Sequence, residues 1–203
     1  MEKHRRPAEK LRLRKPTRLE NLMKFNIIDL EATCWEQGER PHGIQSQIIQ
    51  IGICVADLHN KTISKPESIY VLPSSPFNGL TEFCTELTGI TDEILVEKGI
   101  SKGEAFSILV DKYRTHKRPW GSWGDYDRRM LDMESRYMPL INRPMSNQHL
   151  NIKLMYPIFT GRKLSGLPKA MKVLGLEFEG RHHDGADDAF NIARVLLHLS
   201  LRE

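Results

Sequence analysis

The sequence predicts an α/β protein built on a mixed sheet, and three observations predict it. Short apolar runs with strand character crowd the first third of the chain. Helical periodicity takes over from about residue 101. A further short strand, Trp120-Gly-Ser-Trp123, lies among the helices. In order, Phe25 to Glu31 reads as a buried strand, and Gln47 to Val55 as its hairpin partner. Glu36 to Ser46, with Gly38, Pro41 and Gly43, is the polar loop between them. Ser68 to Leu72 is a third strand closed by Pro73, so an antiparallel meander is expected at this side of the sheet. Ser101-x-x-Glu104 carries the capping-box signature, followed at helical spacing by Ala105, Phe106, Leu109, Val110 and Tyr113. Asp127 to Met138 reads as a second helix and Ser165 as the cap of a third. Asp187 to Leu201 makes a fourth, with Ile192, Val195, Leu196 and Leu199 facing inward.

The chain has 203 residues, 39% hydrophobic and 28% charged, enough for one sizeable core in a single domain. No run of about 18 apolar residues exists to cross a bilayer, and the first residues lack the apolar stretch of a secretory signal. Cys34, Cys54 and Cys84 are odd in number and far apart, which points away from a disulfide framework or zinc site and towards a reducing, cytoplasmic setting. The formal charge of +4 is unevenly spread. Residues 1–24 hold nine Lys/Arg against three Glu, leaving 21 basic and 23 acidic residues in 25–203. Residues 1–24 are therefore read as a basic, flexible extension able to contact nucleic-acid phosphates, and 25–203 as the folded domain.

The chemistry is suggested first by Asp29-Leu-Glu31 inside an apolar strand. Strand side chains alternate, so both carboxylates point to one face about 7 Å apart, at roughly 3.3 Å per residue. Such a pair repels and is desolvated unless a cation joins it. Gly124-Asp-Tyr-Asp127 offers two more acids, of which Asp127 continues the inward stripe of Met130 and Leu131. In Arg181-His-His-Asp-Gly-Ala-Asp-Asp188, His182/Asp187 and His183/Asp188 share one spacing. Periodicity selects Asp188, four residues before Ile192, and leaves His183 in the loop on the side from which Asp188 projects. Several carboxylates suit Mg²⁺ or Mn²⁺, which are hard and oxygen-loving. Two such ions about 3.5–4 Å apart can stabilise both the attacking and the leaving oxygen of an in-line phosphoryl displacement. A histidine titrating near neutrality can take the proton of the attacking water, so the inferred reaction is phosphodiester hydrolysis.

Asp29-Leu-Glu-Ala-Thr-Cys-Trp35, Gly124-Asp-Tyr-Asp127 and His183-Asp-Gly-Ala-Asp-Asp-x-x-Asn-Ile-Ala193, in this order, resemble the three exonuclease motifs of the DEDDh superfamily. Together with Phe83-Cys-x-x-Leu-Thr-Gly-Ile90 they are similar to the branch of the histone-mRNA 3′ exonuclease, the enhancer-of-RNA-interference exonucleases and their bacterial relatives. The resemblance spans about Phe25 to Leu199 and implies an RNase H-like fold, with a mixed five-stranded sheet flanked by helices. It also implies two divalent cations, Mg²⁺ or Mn²⁺, and release of 5′-mononucleotides from a 3′ end. By position, Asp29, Glu31, Asp127 and Asp188 match the metal-binding acids and His183 the general base; Glu31 counts with His183 among the catalytic groups. Ala32 and Thr33 resemble the segment that receives the terminal nucleotide. Leu87 and Thr88 match the part that packs on its base and sugar, and Tyr126 stands where relatives have Trp. Gln replaces the Glu of many relatives in Gln47-Ile-Ile-Gln50, a departure expected to touch the second strand rather than catalysis. Twenty-four residues ahead of Phe25 are too few for the accessory domain of some eukaryotic members, so stem-loop specificity is not expected. The implied substrate is single-stranded nucleic acid with a free 3′ end, RNA favoured over DNA. A DNA exonuclease of the proofreading or repair type and a non-catalytic regulatory protein on the same fold are the alternatives.

Overall fold

A nine-residue strand, β1 (Lys24–Ala32), is the spine of the molecule. The computed structural model describes residues 23–136 and 144–201. On one side β1 pairs antiparallel with β2 (Ile48–Asp57), which in turn pairs antiparallel with β3 (Thr62–Ile63) and β4 (Glu67–Tyr70). On its other side β1 pairs parallel with β5 (Trp120–Ser122), and β5 pairs parallel with β6 (His149–Asn151). The sheet is mixed, as expected, but has six strands where five were expected. The extra one is β3: the third strand of the meander is broken at Lys65-Pro66, because proline has no N–H for the ladder. Both pieces remain paired with β2, and Ser64 N–H still donates to the Val55 carbonyl at 2.9 Å.

Seven helices are described: α1 (Glu82–Thr88), α2 (Asp92–Lys98), α3 (Lys102–Asp111), α4 (Tyr126–Ser135), α5 (Ile152–Thr160), α6 (Leu167–Leu174) and α7 (Gly185–Ser200). Their starts are largely written in side chains. Thr81 and Thr91 accept the N–H groups of Cys84 and Ile94, and Ser101 with Glu104 forms the complete capping box ahead of α3. Asp184 opens α7 by accepting from Ala186 and Asp187. The expected cap of α6 is displaced: Gly166, not Ser165, is its N-cap, and it makes no side-chain cap bond. The expected helix end at Met138 and the extension 1–22 lie outside the described residues. Lys24, counted with that extension, instead opens β1 and pairs with Asp57 at 3.3 Å.

The two-residue period of β1 sorts its side chains between two layers. Ile28, Leu30 and Ala32 enter a cluster with Phe106 and Leu109 of α3 and Met130 and Leu131 of α4. Ile27 enters the opposite cluster, with α5, α6 and the inward stripe of α7: Ile192, Val195, Leu196 and Leu199. Burying each such side chain contributes about 1.5–3 kcal/mol, so the period that orders the core also orders the site. Asp29 and Glu31 share the face of Ile27 and are carried against α7. That helix crosses β2 closely because Gly52 has no side chain: a Cβ there would lie 1.8 Å from the Gly185 carbonyl carbon. Gln50, two residues earlier on β2, accepts the Gly185 N–H at 2.8 Å and so fixes the start of α7. Among the described residues no helix is long and apolar enough to cross a membrane.

Candidate active site

Where β1, α4 and α7 converge, a cleft of about 350 Å³ is lined by Asp29, Glu31, Asp127, Asp188, His182 and His183, with Ala32, Leu87, Trp123 and Tyr126 as its less polar walls. Carboxylate oxygens of Asp29, Glu31 and Asp188 lie within 4.8 Å of one another. Asp127 stands at the edge of this group, its Oδ1 accepting the Leu30 N–H at 3.0 Å. The helical stripe thus chose the inward acids: Asp127 and Asp188 are 4% and 3% exposed, whereas the Asp125 side chain is 41% exposed. Asp187 turns instead to the backbone of Arg181, whose N–H it accepts at 2.7 Å.

Electrostatics is strained in one direction throughout the cluster. Burial, followed by the charges of Asp127, Asp188 and Glu31, holds the Asp29 carboxyl well above the usual carboxylate range. Burial and then Asp188 and Asp127 push Glu31 up to about 8, against which the Arg181 guanidinium pulls down. Asp127 is pushed up to about 6 by burial, and Asp188 is raised by the same cause. Buried carboxylates that raise one another's pKa form a hard oxygen donor set with excess negative charge. Such a set fits a divalent cation of the Mg²⁺ or Mn²⁺ type.

The histidine loop shows what spacing left undecided. His183 adopts a left-handed backbone, φ 66°, which turns the loop over the first turn of α7. Its N–H then donates to Asp188 Oδ2 at 2.9 Å, while His182 Nδ1 lies 3.0 Å from Asp188 Oδ1. The two imidazoles stack with centroids 4.0 Å apart, and both line the cleft. Burial holds His183 below the ordinary histidine pKa. His182 is the residue that sequence reasoning missed. It was weighed against Asp187, five residues on, whereas the turn delivers it to Asp188, six residues on. Arg181 was missed too: its Nη2 donates to the carbonyls of Glu86 and Leu87 at 2.8 and 3.3 Å, tying the histidine loop to the end of α1.

The substrate-side residues separate into two groups. Ala32, Leu87 and Tyr126 line the cleft. Thr33 lines an adjoining cavity with Trp35 and Phe77, and its hydroxyl accepts the Gln47 N–H at 3.0 Å. Thr88 is buried and donates its hydroxyl hydrogen to the Cys84 carbonyl at 2.8 Å.

The family model described as Exonuclease (RNase_T) matches residues 27–196, from β1 to within α7, and so spans the whole acid constellation. The chain belongs to the exonuclease family. Within that family it is 32% identical over 192 residues to ERI1 exoribonuclease 2 of Xenopus laevis, covering 83% of this chain and 27% of that protein. It is 29% identical to 3′-5′ exoribonuclease 1 of Homo sapiens, covering 85% and 51%. The chain thus spans about a quarter to a half of the length of these relatives. The nuclease domain of 3′hExo, a DEDDh family member bound to rAMP, superposes with a TM-score of 0.76 at 27% identity, covering 87% of this chain and 90% of that one. These exonuclease relatives bear out the RNase H-like, DEDDh expectation and its placement near the histone-mRNA exonuclease branch.

Proposed function

We propose that the protein is a metal-dependent 3′→5′ exonuclease that hydrolyses single-stranded nucleic acid, RNA in preference to DNA, and releases 5′-mononucleotides. The observation that carries this reading is the group of Asp29, Glu31 and Asp188 in one cleft beside His183. The relatives named exoribonucleases support RNA as the substrate. Asp29, Glu31, Asp127 and Asp188 would hold two divalent cations, with Mg²⁺ the physiological choice. When bound, such ions neutralise charge on the attacking and leaving oxygens of an in-line displacement.

The protein's own groups do the rest. Leu87, Ala32 and Tyr126 would grip the terminal nucleotide, whose base must leave the stack of its neighbours to enter a cleft of this size. Asp188, clasped by the His182 ring and the His183 N–H, is held in one orientation. His183, kept neutral by burial, takes the proton of the attacking water at an imidazole nitrogen. Glu31 completes the acid pair on β1 and faces the same water. The basic segment 1–24 would add phosphate contacts upstream of the 3′ end, and the free thiols of Cys34, Cys54 and Cys84 suit a reducing, cytoplasmic setting.

The test is a 3′-end degradation assay with Mg²⁺ on matched single-stranded RNA, single-stranded DNA and a 3′-overhang hairpin, with and without residues 1–22. Stepwise shortening of RNA from the 3′ end with mononucleotide products is expected, slower on DNA. Removing 1–22, which spares the Lys24 end of β1, should weaken binding and flatten its salt dependence while leaving cleavage of a short oligomer intact. Tight binding without cleavage would favour the regulatory alternative, and equal or faster turnover of DNA would overturn the RNA preference.

A further inference from the structure

Among the described residues, two sets of side chains each bring three metal-ligating atoms within 4.8 Å of one another, and they share one member. Asp29, Glu31 and Asp188 form the all-oxygen set of the acid cluster. His182, His183 and Asp188 form the other, which offers two imidazole nitrogens and one carboxylate oxygen. The Asp188 carboxylate therefore stands between two donor sets of different chemistry, one on β1 and one in the histidine loop.

The two sets suit different ions. Mg²⁺ takes oxygen ligands and parts with its waters reluctantly, so the histidine set attracts it little. Imidazole suits Zn²⁺, which binds a given nitrogen and oxygen site more tightly than Mn²⁺ does. Zinc sites with three protein ligands keep a fourth position for water. The distances agree with that geometry. His182 Nδ1 lies 3.0 Å from Asp188 Oδ1 and 3.1 Å from Oδ2. In a zinc tetrahedron with bonds of about 2.0–2.1 Å, neighbouring ligand atoms stand about 3.3 Å apart. An ion can thus take the place of the hydrogen that this pair shares, while a neutral His182 ring carries its hydrogen on Nε2 instead.

The surroundings leave the set open to an ion. The His182 side chain is 42% exposed, which gives a path from solvent. The neighbouring Arg181 guanidinium is turned away, to the carbonyls of Glu86 and Leu87. Backbone rather than ring holds His183 to Asp188, through the N–H to Oδ2 at 2.9 Å. The imidazoles stack with 23° between their planes, and near-parallel rings do not aim two lone pairs at one point. One ring has to tilt, and the more exposed His182, which meets Phe178 edge-on at 5.6 Å between centroids, is the one with room.

We propose that His182, His183 and Asp188 form an inhibitory Zn²⁺ site. An ion held there occupies the lone pair with which His183 takes the proton of the attacking water, and it draws Asp188 away from the acids of β1. The inhibition rests on the reading of the cleft as a hydrolytic metal centre, whereas zinc binding is open to measurement without it.

Binding is read without turnover, by titrating the metal-free full chain with Zn²⁺ in a calorimeter and by the visible spectrum of the Co²⁺ form, whose bands report nitrogen ligands. Cleavage of an RNA oligomer in Mg²⁺ is then measured against added Zn²⁺. His182→Phe keeps a ring on His183 and removes the nitrogens. Asp29→Asn weakens the all-oxygen set and leaves the histidine set whole. Expected are nitrogen-ligated Co²⁺ in wild type and in D29N, and a loss of Zn²⁺ affinity of about 100-fold or more in H182F, since even a neighbour that only orients a ligand is worth 10–100-fold. Zn²⁺ should inhibit cleavage, and excess Mg²⁺ should relieve the inhibition because the two ions compete for Asp188. The Zn²⁺ concentration for half inhibition, taken against each protein's own zinc-free rate, should rise in H182F by a factor similar to the loss of affinity. A thermal melt checks that H182F is folded, and the Co²⁺ spectrum of wild type decides independently of it. Oxygen-only ligation of Co²⁺, equal Zn²⁺ affinity in wild type and folded H182F, loss of zinc binding in D29N, or stimulation by zinc would overturn the proposal. Failure of the underlying reading looks different: wild type would not cleave RNA in Mg²⁺ alone, or D29N would cleave it as fast as wild type, with zinc binding intact in both.

Discussion

Glu31→Gln should make the metal-free protein more stable, by an amount that depends on pH. The Glu31 carboxyl is pushed from 4.5 to about 8 by burial and by the charges of Asp188 and Asp127. A raised carboxyl binds its proton more tightly in the folded state than in the unfolded chain, so stability falls as pH rises between those two values. Below 4.5 both states are protonated and nothing is lost. At pH 7 the shift in play is about 2.5 units, or about 3 kcal/mol at 1.36 kcal/mol per unit, rising to about 5 kcal/mol above pH 8. Gln carries no charge and is spared this loss at every pH. For a domain of this size about 3 kcal/mol raises Tm by roughly 6–12 °C. The assay is circular-dichroism melting in EDTA from pH 4 to pH 8.5, repeated with saturating Mg²⁺. The variant should melt with wild type at pH 4 and well above it at pH 8. Mg²⁺ should stabilise wild type more than the variant, because the ion answers the same charge. A variant no more stable than wild type at pH 8, or a gain equal at both ends of the range, would refute crowding of buried charge as its origin.

Three further outcomes are expected. Asp188→Asn removes the carboxylate shared by the acid cluster and both histidines, and should lower kcat by about 10³-fold or more, since a catalytic metal supplies several kcal/mol of barrier lowering; single-turnover kinetics at saturating Mg²⁺ will check it. His183→Ala should lower kcat by about 10²–10⁴-fold and erase the acid limb of the pH–rate profile. In wild type that limb should lie below the ordinary histidine value of 6.5, because burial lowers the His183 pKa and the base is lost only when it takes up a proton; a limb that survives in the variant places the base elsewhere. Gly52→Ala forces a methyl group into the backbone of Gly185 and should destabilise by about 3 kcal/mol or more, visible as a lost or early melting transition.

How legible this site was depends on which force placed each residue. The period of two in β1 and the stripe of α7 come from burial of the core, and burial is written into the order of apolar residues. Asp29, Glu31, Asp127 and Asp188 could therefore be chosen over Asp125 and Asp187 before any coordinates. The capping box at Ser101 was equally local and equally readable. What escaped was set by backbone torsion or by partners distant in sequence. His182 meets Asp188 because His183 takes a positive φ, which no apolar pattern announces. The helix α5 carries Pro157 in its interior and the three-residue β6 has too few residues for a period, so neither was predicted. The split of the third strand at Pro66 altered the strand count without moving its pairing with β2.

The close crossing of β2 by α7 links these observations into a single compromise. Glycine at positions 52 and 185 lets the first turn of α7 approach the strand beside β1, and Gln50 ties that turn down through the Gly185 N–H. The approach is what delivers Asp188 to Asp29 and Glu31. It also brings the positive end of the α7 dipole to the acids, a favourable term that reaches only across the first turn. The raised pKa of all four carboxyls shows that the dipole does not offset their burial and mutual repulsion. A sheet and helix packed for stability alone would place an apolar pair here, as they do one step along β1 at Ile27, which shares a cluster with Ile192. The difference between these neighbouring positions is the energetic signature of a site shaped for a cation. Neutralising any one acid should therefore strengthen the metal-free fold in the same experiment that shows hydrolysis to be lost.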